Sequence, residues 1–154
     1  MTPRARTNQL LYQAELLLDT PTGSDEHAEA RRMAAEEGAL ALTELALESL
    51  LREVTEHAHL ARHDWRELLG PEGAGIAELH RLRELAAQPD SWLAWLVTRL
   101  EALHGCDGAA RRSSGATRGL IAVGSAAALG DELRGCLLDA KVEIAALRET
   151  SQEW

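Results

Sequence analysis

Apolar residues recur along this chain at helical spacing, in five runs separated by short breaks rich in glycine, proline or polar residues. The first run, about Thr7 to Asp19, sets Leu10, Leu11, Ala14, Leu17 and Leu18 on one face, with Thr7 as the predicted N-cap. After the turn TPTGSD, Ser24 or Asp25 caps a second run that reaches Leu69 without a proline and with Gly38 as its single glycine. A third, about Ala74 to Gln88, follows GPEGAG and uses Ile76, Leu79, Leu82 and Leu85. Pro89 and Asp90 end it, and Asp90 or Ser91 caps the fourth, WLAWLVTRLEALH. The last spans about Asp131 to Thr150 on a seam of Leu133, Cys136, Leu137, Ala140, Ile144 and Leu147. Between these two, residues 105–119 read as a flexible loop, and GLIAVGSAAALG fits extended chain, helix or irregular packing alike.

The second run is too long to stay whole. Its Ala, Leu, Glu and Arg lose little freedom in a helix. A continuous helix of that length would reach about 68 Å at 1.5 Å per residue, whereas a domain of this size is roughly 40 Å across. The helix must break, kink or protrude, and Gly38 and the histidine-rich stretch after Glu56 are the predicted places. Stepping at 100° per residue puts Leu47, Leu50, Leu51, Val54, Ala58, Ala61 and Trp65 on one face, with Leu42, Leu45 and Ser49 near the opposite side. From Gly38 to Leu51 the helix is thus apolar nearly all round, as expected of a central helix covered by its neighbours or by a second subunit.

Composition turns this pattern into a fold class. Aromatic residues are 3% of 154 positions and phenylalanine is absent, so the β-branched and aromatic vocabulary of strands is scarce. The expected fold is all-α: one domain, a bundle of four to five helices with a long, kinked second helix. The net charge of −9 sets the overall field against nucleic acid and anionic membrane. Only Arg111, Arg112 and Arg118 cluster against it. No window approaches a membrane span, and the apolar N-terminal stretch is interrupted by Tyr12, Gln13 and Glu15, unlike an export signal. Two cysteines, Cys106 and Cys136, are then expected as free thiols in a cytoplasm.

Candidate chemistry is thin. Glu-x-x-His occurs as Glu56–His59 and Glu101–His104, the spacing by which ferritin-like bundles hold two metals. Glu15 and Glu78 or Glu84 would complete such a set. About 0.7 such pairs arise by chance in this composition, and the Glu56–His59–His63–Glu67 stripe lies about 170° from the stripe led by Val54. A solvated face is therefore the expectation. His59 and His63 alone form an i, i+4 pair of the kind that takes up divalent ions adventitiously. Arg-x4-His, at Arg52–His57 and Arg99–His104, is also the spacing of a motif in small helical RNA-cleaving toxins, whose phosphate-attracting field this acidic chain lacks. Cys106 follows a helix C-terminus, the end that does not activate a thiol, and Cys136 sits on the core seam. No catalytic residue, metal or cofactor is predicted.

The tryptophans carry more information. Trp92 borders the apolar stripe of the fourth helix, while Trp95 points off it beside Arg99. Trp and Arg in such positions serve as interface anchors, or else Trp95 covers the helix end with Arg99 stacked on its ring. Trp154 is expected to pack back or to stay free.

Three segments, RTNQLLYQAELLL at 6–18, PDSWLAWLVTRL at 89–100, and LIAV at 120–123 leading to a C-terminal Glu153–Trp154, resemble a family of small bacterial helical proteins known only as a domain of unknown function. The resemblance covers about a third of the chain and implies a bacterial, cytoplasmic protein, with no activity to carry over. A non-enzymatic bundle acting on a protein partner or as a homodimer is the function expected, with Trp92, Trp95 and Arg99 as its contact residues. A metal-binding bundle and an RNA-cleaving toxin are the alternatives.

Overall fold

A computed structural model of the chain describes residues 1–71, 75–113 and 128–152. Among them the fold is all-helical, with α1 over Pro3–Asp19 and α2 over Ala28–Val54. The single turn α3 (Trp65–Leu68) is followed by α4 (Ala77–Ala87), α5 (Trp92–Leu103) and α6 (Leu129–Gln152).

α1 begins a turn before the predicted cap. Pro3 stands in the first turn, where its missing N–H costs nothing, and the Thr2 hydroxyl accepts from Ala5 N–H at 3.1 Å. Thr7 is no cap. It is wholly buried, its hydroxyl 2.9 Å from that of Ser49, and both reach the Pro3 carbonyl, at 2.9 and 3.0 Å. This closed polar triangle explains how Ser49 tolerates burial on α2, where its rotation placed it far from the Leu47–Leu50 stripe.

The start of α2 is held by Asp25, which accepts from His27 N–H at 2.9 Å and grips Arg31 at 2.7 and 2.9 Å. Its end comes where the histidine stretch begins. Thr55 is fully buried and its hydroxyl donates to the Leu51 carbonyl at 2.6 Å, using up an acceptor in the last turn. A 3₁₀ turn, Glu56–Ala58, follows, and His59 then takes a left-handed conformation (φ 48°) that turns the chain away. The remaining 27 residues of α2 span about 40 Å.

Gly38, the other predicted break, stays helical. A β-carbon there would lie 2.8 Å from Leu17 Cδ2, so glycine serves to let α1 approach α2. Gly38→Ala is accordingly expected to leave stability within about 1 kcal/mol of the parent, the gain in helix propensity offsetting displacement of Leu17. Gly38→Leu should cost about 1–3 kcal/mol, because the added side chain wedges the helices apart; urea denaturation distinguishes the pair.

The second apolar face of α2 is largely covered from within the chain. α1 brings Leu10, Leu11 and Ala14 onto the core, α5 adds Leu93, Leu96 and Leu100, and α6 adds Leu133, Leu137 and Ile144, all buried in one cluster. Leu42 packs partly buried against it, and Leu45 alone of the predicted opposite face remains 46% exposed. α5 starts where predicted, with Ser91 accepting from Ala94 N–H at 3.0 Å. Residues 105–113 are tied to α2: Glu37 accepts from Ala109 and Ala110 N–H at 2.7 and 3.2 Å, and Glu29 from Ser113 N–H at 2.6 Å. Residues 114–127, and with them most of GLIAVGSAAALG, lie outside the described part of the chain, as does Trp154.

Candidate functional site

The end of α2 at Val54 undoes the helical phase on which the Glu56–His59–His63 stripe and the Arg52–His57 spacing depended. His59 and His63 are not one turn apart on a helix. Instead His57 pairs with Glu78 at 3.5 Å, His80 with Glu84 at 3.2 Å, and His104 with Glu44 at 2.8 Å. Glu56 and Glu101 are exposed, and Glu101 lines an open cleft of about 460 Å³ with Trp65 and Val97. Glu15 reaches across to Lys141. Among the described residues no three His, Cys, Asp or Glu side chains gather closely enough to hold a metal ion.

What the geometry does assemble is a polar cluster on the flank of α2. Glu44, 15% exposed, accepts from Trp65 Nε1 at 2.9 Å and holds His104 Nε2 at 3.0 and 2.8 Å through its two oxygens. Trp65 itself is buried, with Arg66 stacked over its ring at 4.3 Å. One turn on, burial raises the Glu48 carboxyl above its ordinary value, and the charges of Glu44 and Asp64 add to the effect. His63 is pushed down by burial and by Arg52, whose Nε lies 3.5 Å from His63 Nδ1. The helical-period reading overlooked this cluster. Its signal was a pair of acids one turn apart, Glu44 and Glu48, set inside the apolar run Ala39–Leu51.

Trp95 and Arg99 converge on one carboxylate. Trp95 Nε1 donates to Glu132 of α6 at 2.8 Å, Arg99 bonds the same oxygen at 3.2 Å, and the guanidinium stands 5.6 Å from the Trp95 ring. Trp95 remains half-buried. Trp92 lines a core cavity of about 20 Å³ between Leu11, Leu47 and Ile144. Its carbonyl faces Cys136 Sγ at 3.6 Å.

The two thiols differ sharply. Cys106 is exposed, whereas Cys136 is buried and its thiol is pushed up to about 12, first by desolvation and then by Asp139. A thiol reagent near neutral pH is therefore expected to modify Cys106 within minutes and Cys136 only as the protein unfolds. Two equally fast thiols would contradict the packing of α6 against α5.

Exposed apolar side chains complete the picture. Tyr12 and Leu16 on α1 are 60% and 48% exposed, and Leu138 and Val142 on α6 are 64% and 73% exposed. No described helix is long and apolar enough to cross a membrane.

These features define an all-helical protein whose polar clusters tie helices together and whose exposed apolar residues concentrate on α1 and α6. Over residues 1–154 the chain matches a family of unknown function (DUF6586), and it belongs to that family; the likeness seen in three segments extends over the whole chain. No curated protein and no solved structure matches it.

Proposed function

We propose that this is a non-enzymatic protein of the bacterial cytoplasm that acts through protein–protein interaction or self-association. The observation that carries this reading is the pair of exposed apolar patches on α1 and α6, large side chains left in water on a chain with ample polar residues to replace them. The net charge of −9 favours a protein partner over nucleic acid or an anionic membrane. The convergent polar groups support it too, since Glu44, Glu132 and Glu37 are each engaged in holding one part of the fold against another.

Trp92, Trp95 and Arg99 enter the proposal as residues that position α6, through Glu132 and the Trp92–Cys136 contact. Trp95→Ala is expected to weaken association by roughly 1–3 kcal/mol through loosened α6, together with a loss of fold stability of about the same size. Light scattering and a capture experiment with the full chain test the reading. A strict monomer that binds no other protein sinks it.

A further inference from the structure

The exposed residues of α6 are not scattered. Gly135, Leu138, Val142 and Ala145 recur at intervals of three and four, and Asp131 and Glu149 extend the same rhythm at either end. All six are exposed, and a side chain added at Gly135 would meet nothing within 4 Å. Their stripe lies opposite the buried seam of Leu133, Cys136, Leu137, Ala140 and Ile144, by the 100° step of a helix. A second apolar seam at the 3.5-residue period is what helix pairing across a coiled-coil-like contact requires.

α1 presents the matching face. Its Tyr12 and Leu16 lie opposite its own buried Leu10, Leu11 and Ala14. Three polar links fix α1 and α6 side by side and antiparallel: Asn8 with Arg148 at 2.9 Å, Glu15 with Lys141, and Asp19 with Arg134. At this register Tyr12 stands level with Val142, and Leu16 with Leu138. Between the helices runs a groove of about 290 Å³ lined by Asn8, Tyr12, Lys141, Ala145 and Arg148. Protruding apolar side chains and a recess therefore share one surface, the condition for an isologous two-fold contact.

Charge selects the occupant. α1 carries two arginines and two acids, Arg4, Arg6, Glu15 and Asp19. Of the charged residues on α6, Glu132 and Glu143 turn toward Arg99 and Arg81 and Arg148 toward Glu53 of α2, leaving Arg134 and Lys141 against Asp131, Asp139 and Glu149. The pair of helices is thus close to neutral on its outward side, and most of the molecule's −9 lies on the rest of its surface. Two copies can meet here with little like-charge repulsion. Two helices abreast offer a face roughly 20 Å by 25 Å, the order of size of one side of a standard dimer, about 800 Å² of accessible surface.

We propose that the outward face of α1 and α6 is the docking surface for a second copy of this chain, related by a two-fold axis, with Leu138 and Val142 of one copy seated against the Tyr12–Ala145 groove of the other. The inference rests on the interaction reading above and gives it a partner and a surface. Light scattering on the full chain across micromolar concentrations is expected to return twice the monomer mass. Leu138→Asp and Val142→Asp should each raise the dissociation constant by at least about thirty-fold while leaving helix content and thermal midpoint near the parent's. Gly135→Arg should do the same by bulk, and Leu45→Asp, away from the face, should leave the dimer intact. A dimer that survives all three face variants overturns this surface and leaves the interaction reading standing. A monomer that binds a different protein through the same face overturns the second copy alone. A monomer with no partner overturns both.

Discussion

Leu40→Ala is expected to destabilise the protein by about 3–5 kcal/mol, whereas Leu45→Ala, five residues along the same helix, should cost less than about 1 kcal/mol. Leu40 is wholly buried and Leu45 is 46% exposed. Truncating Leu40 removes the transfer free energy of its methyl groups and leaves a cavity that α2, clamped between α1 and the other helices, cannot close by relaxing. Truncating Leu45 removes atoms that already touch water. For a chain of this length the first change corresponds to a fall of roughly 10 °C in thermal midpoint. Thermal unfolding of the two variants, side by side, reads the difference directly. Equal losses would mean that Leu45 is covered in solution, by a partner or by residues outside the described part of the chain.

That contrast marks how far the sequence could be read. Buried seams emerged wherever a helix ran straight and amphipathic: Leu79, Leu82 and Leu85 on α4, Leu93, Leu96 and Leu100 on α5, and Leu133, Cys136, Leu137, Ala140 and Ile144 on α6 are all in the core. α2 was harder because its residues from Gly38 to Leu51 are apolar nearly all round, and periodicity cannot say which neighbour covers which side. The answer lay in Thr7 and Ser49, two polar residues that bury only because they meet each other and the Pro3 carbonyl. Beyond Val54 the helical phase carried no information, since Thr55 and His59 end the helix by side-chain bonding and a left-handed turn, which no apolar rhythm announces. Trp65 reaches the core even so, through the separate turn α3. The Glu44 cluster joins residues 60 positions apart at its widest, His104 to Glu44, and such pairings leave no local trace. The outward residues Tyr12, Leu16, Leu138 and Val142 formed no face in the sequence reading, and they gain meaning only because the two helices lie together with these side chains exposed.

Glu44→Ala is expected to cost about 2–3 kcal/mol, and Glu44→Gln no more than about 1 kcal/mol. The carboxylate accepts from the indole N–H of buried Trp65 and holds His104. Alanine leaves the indole donor without a partner in a desolvated position, and the penalty is that of an unmet donor rather than of one ordinary hydrogen bond. Glutamine keeps an oxygen for the indole and gives up only the charge that attracts His104, whose half-exposed ring contributes little. A double-mutant cycle with Trp65→Phe separates the terms, because phenylalanine has no donor to strand. The coupling should be about 1 kcal/mol or more, and additive losses would remove Glu44 from its role under Trp65. Glu48 supplies an independent readout. Its carboxyl is raised above the ordinary 4.5 by burial and by the charges of Glu44 and Asp64, so the folded state favours its protonated form. The stability it contributes is complete below 4.5 and is lost as pH rises through the raised folded value, which makes ionised Glu48 a liability at neutral pH. Glu44→Gln should therefore bring Glu48 back toward its ordinary value in an NMR titration, and Glu48→Gln should raise the thermal midpoint at pH 7 while changing it little in acid. A Glu48 titration indifferent to residue 44 would place the two carboxylates in separate environments and dissolve the cluster.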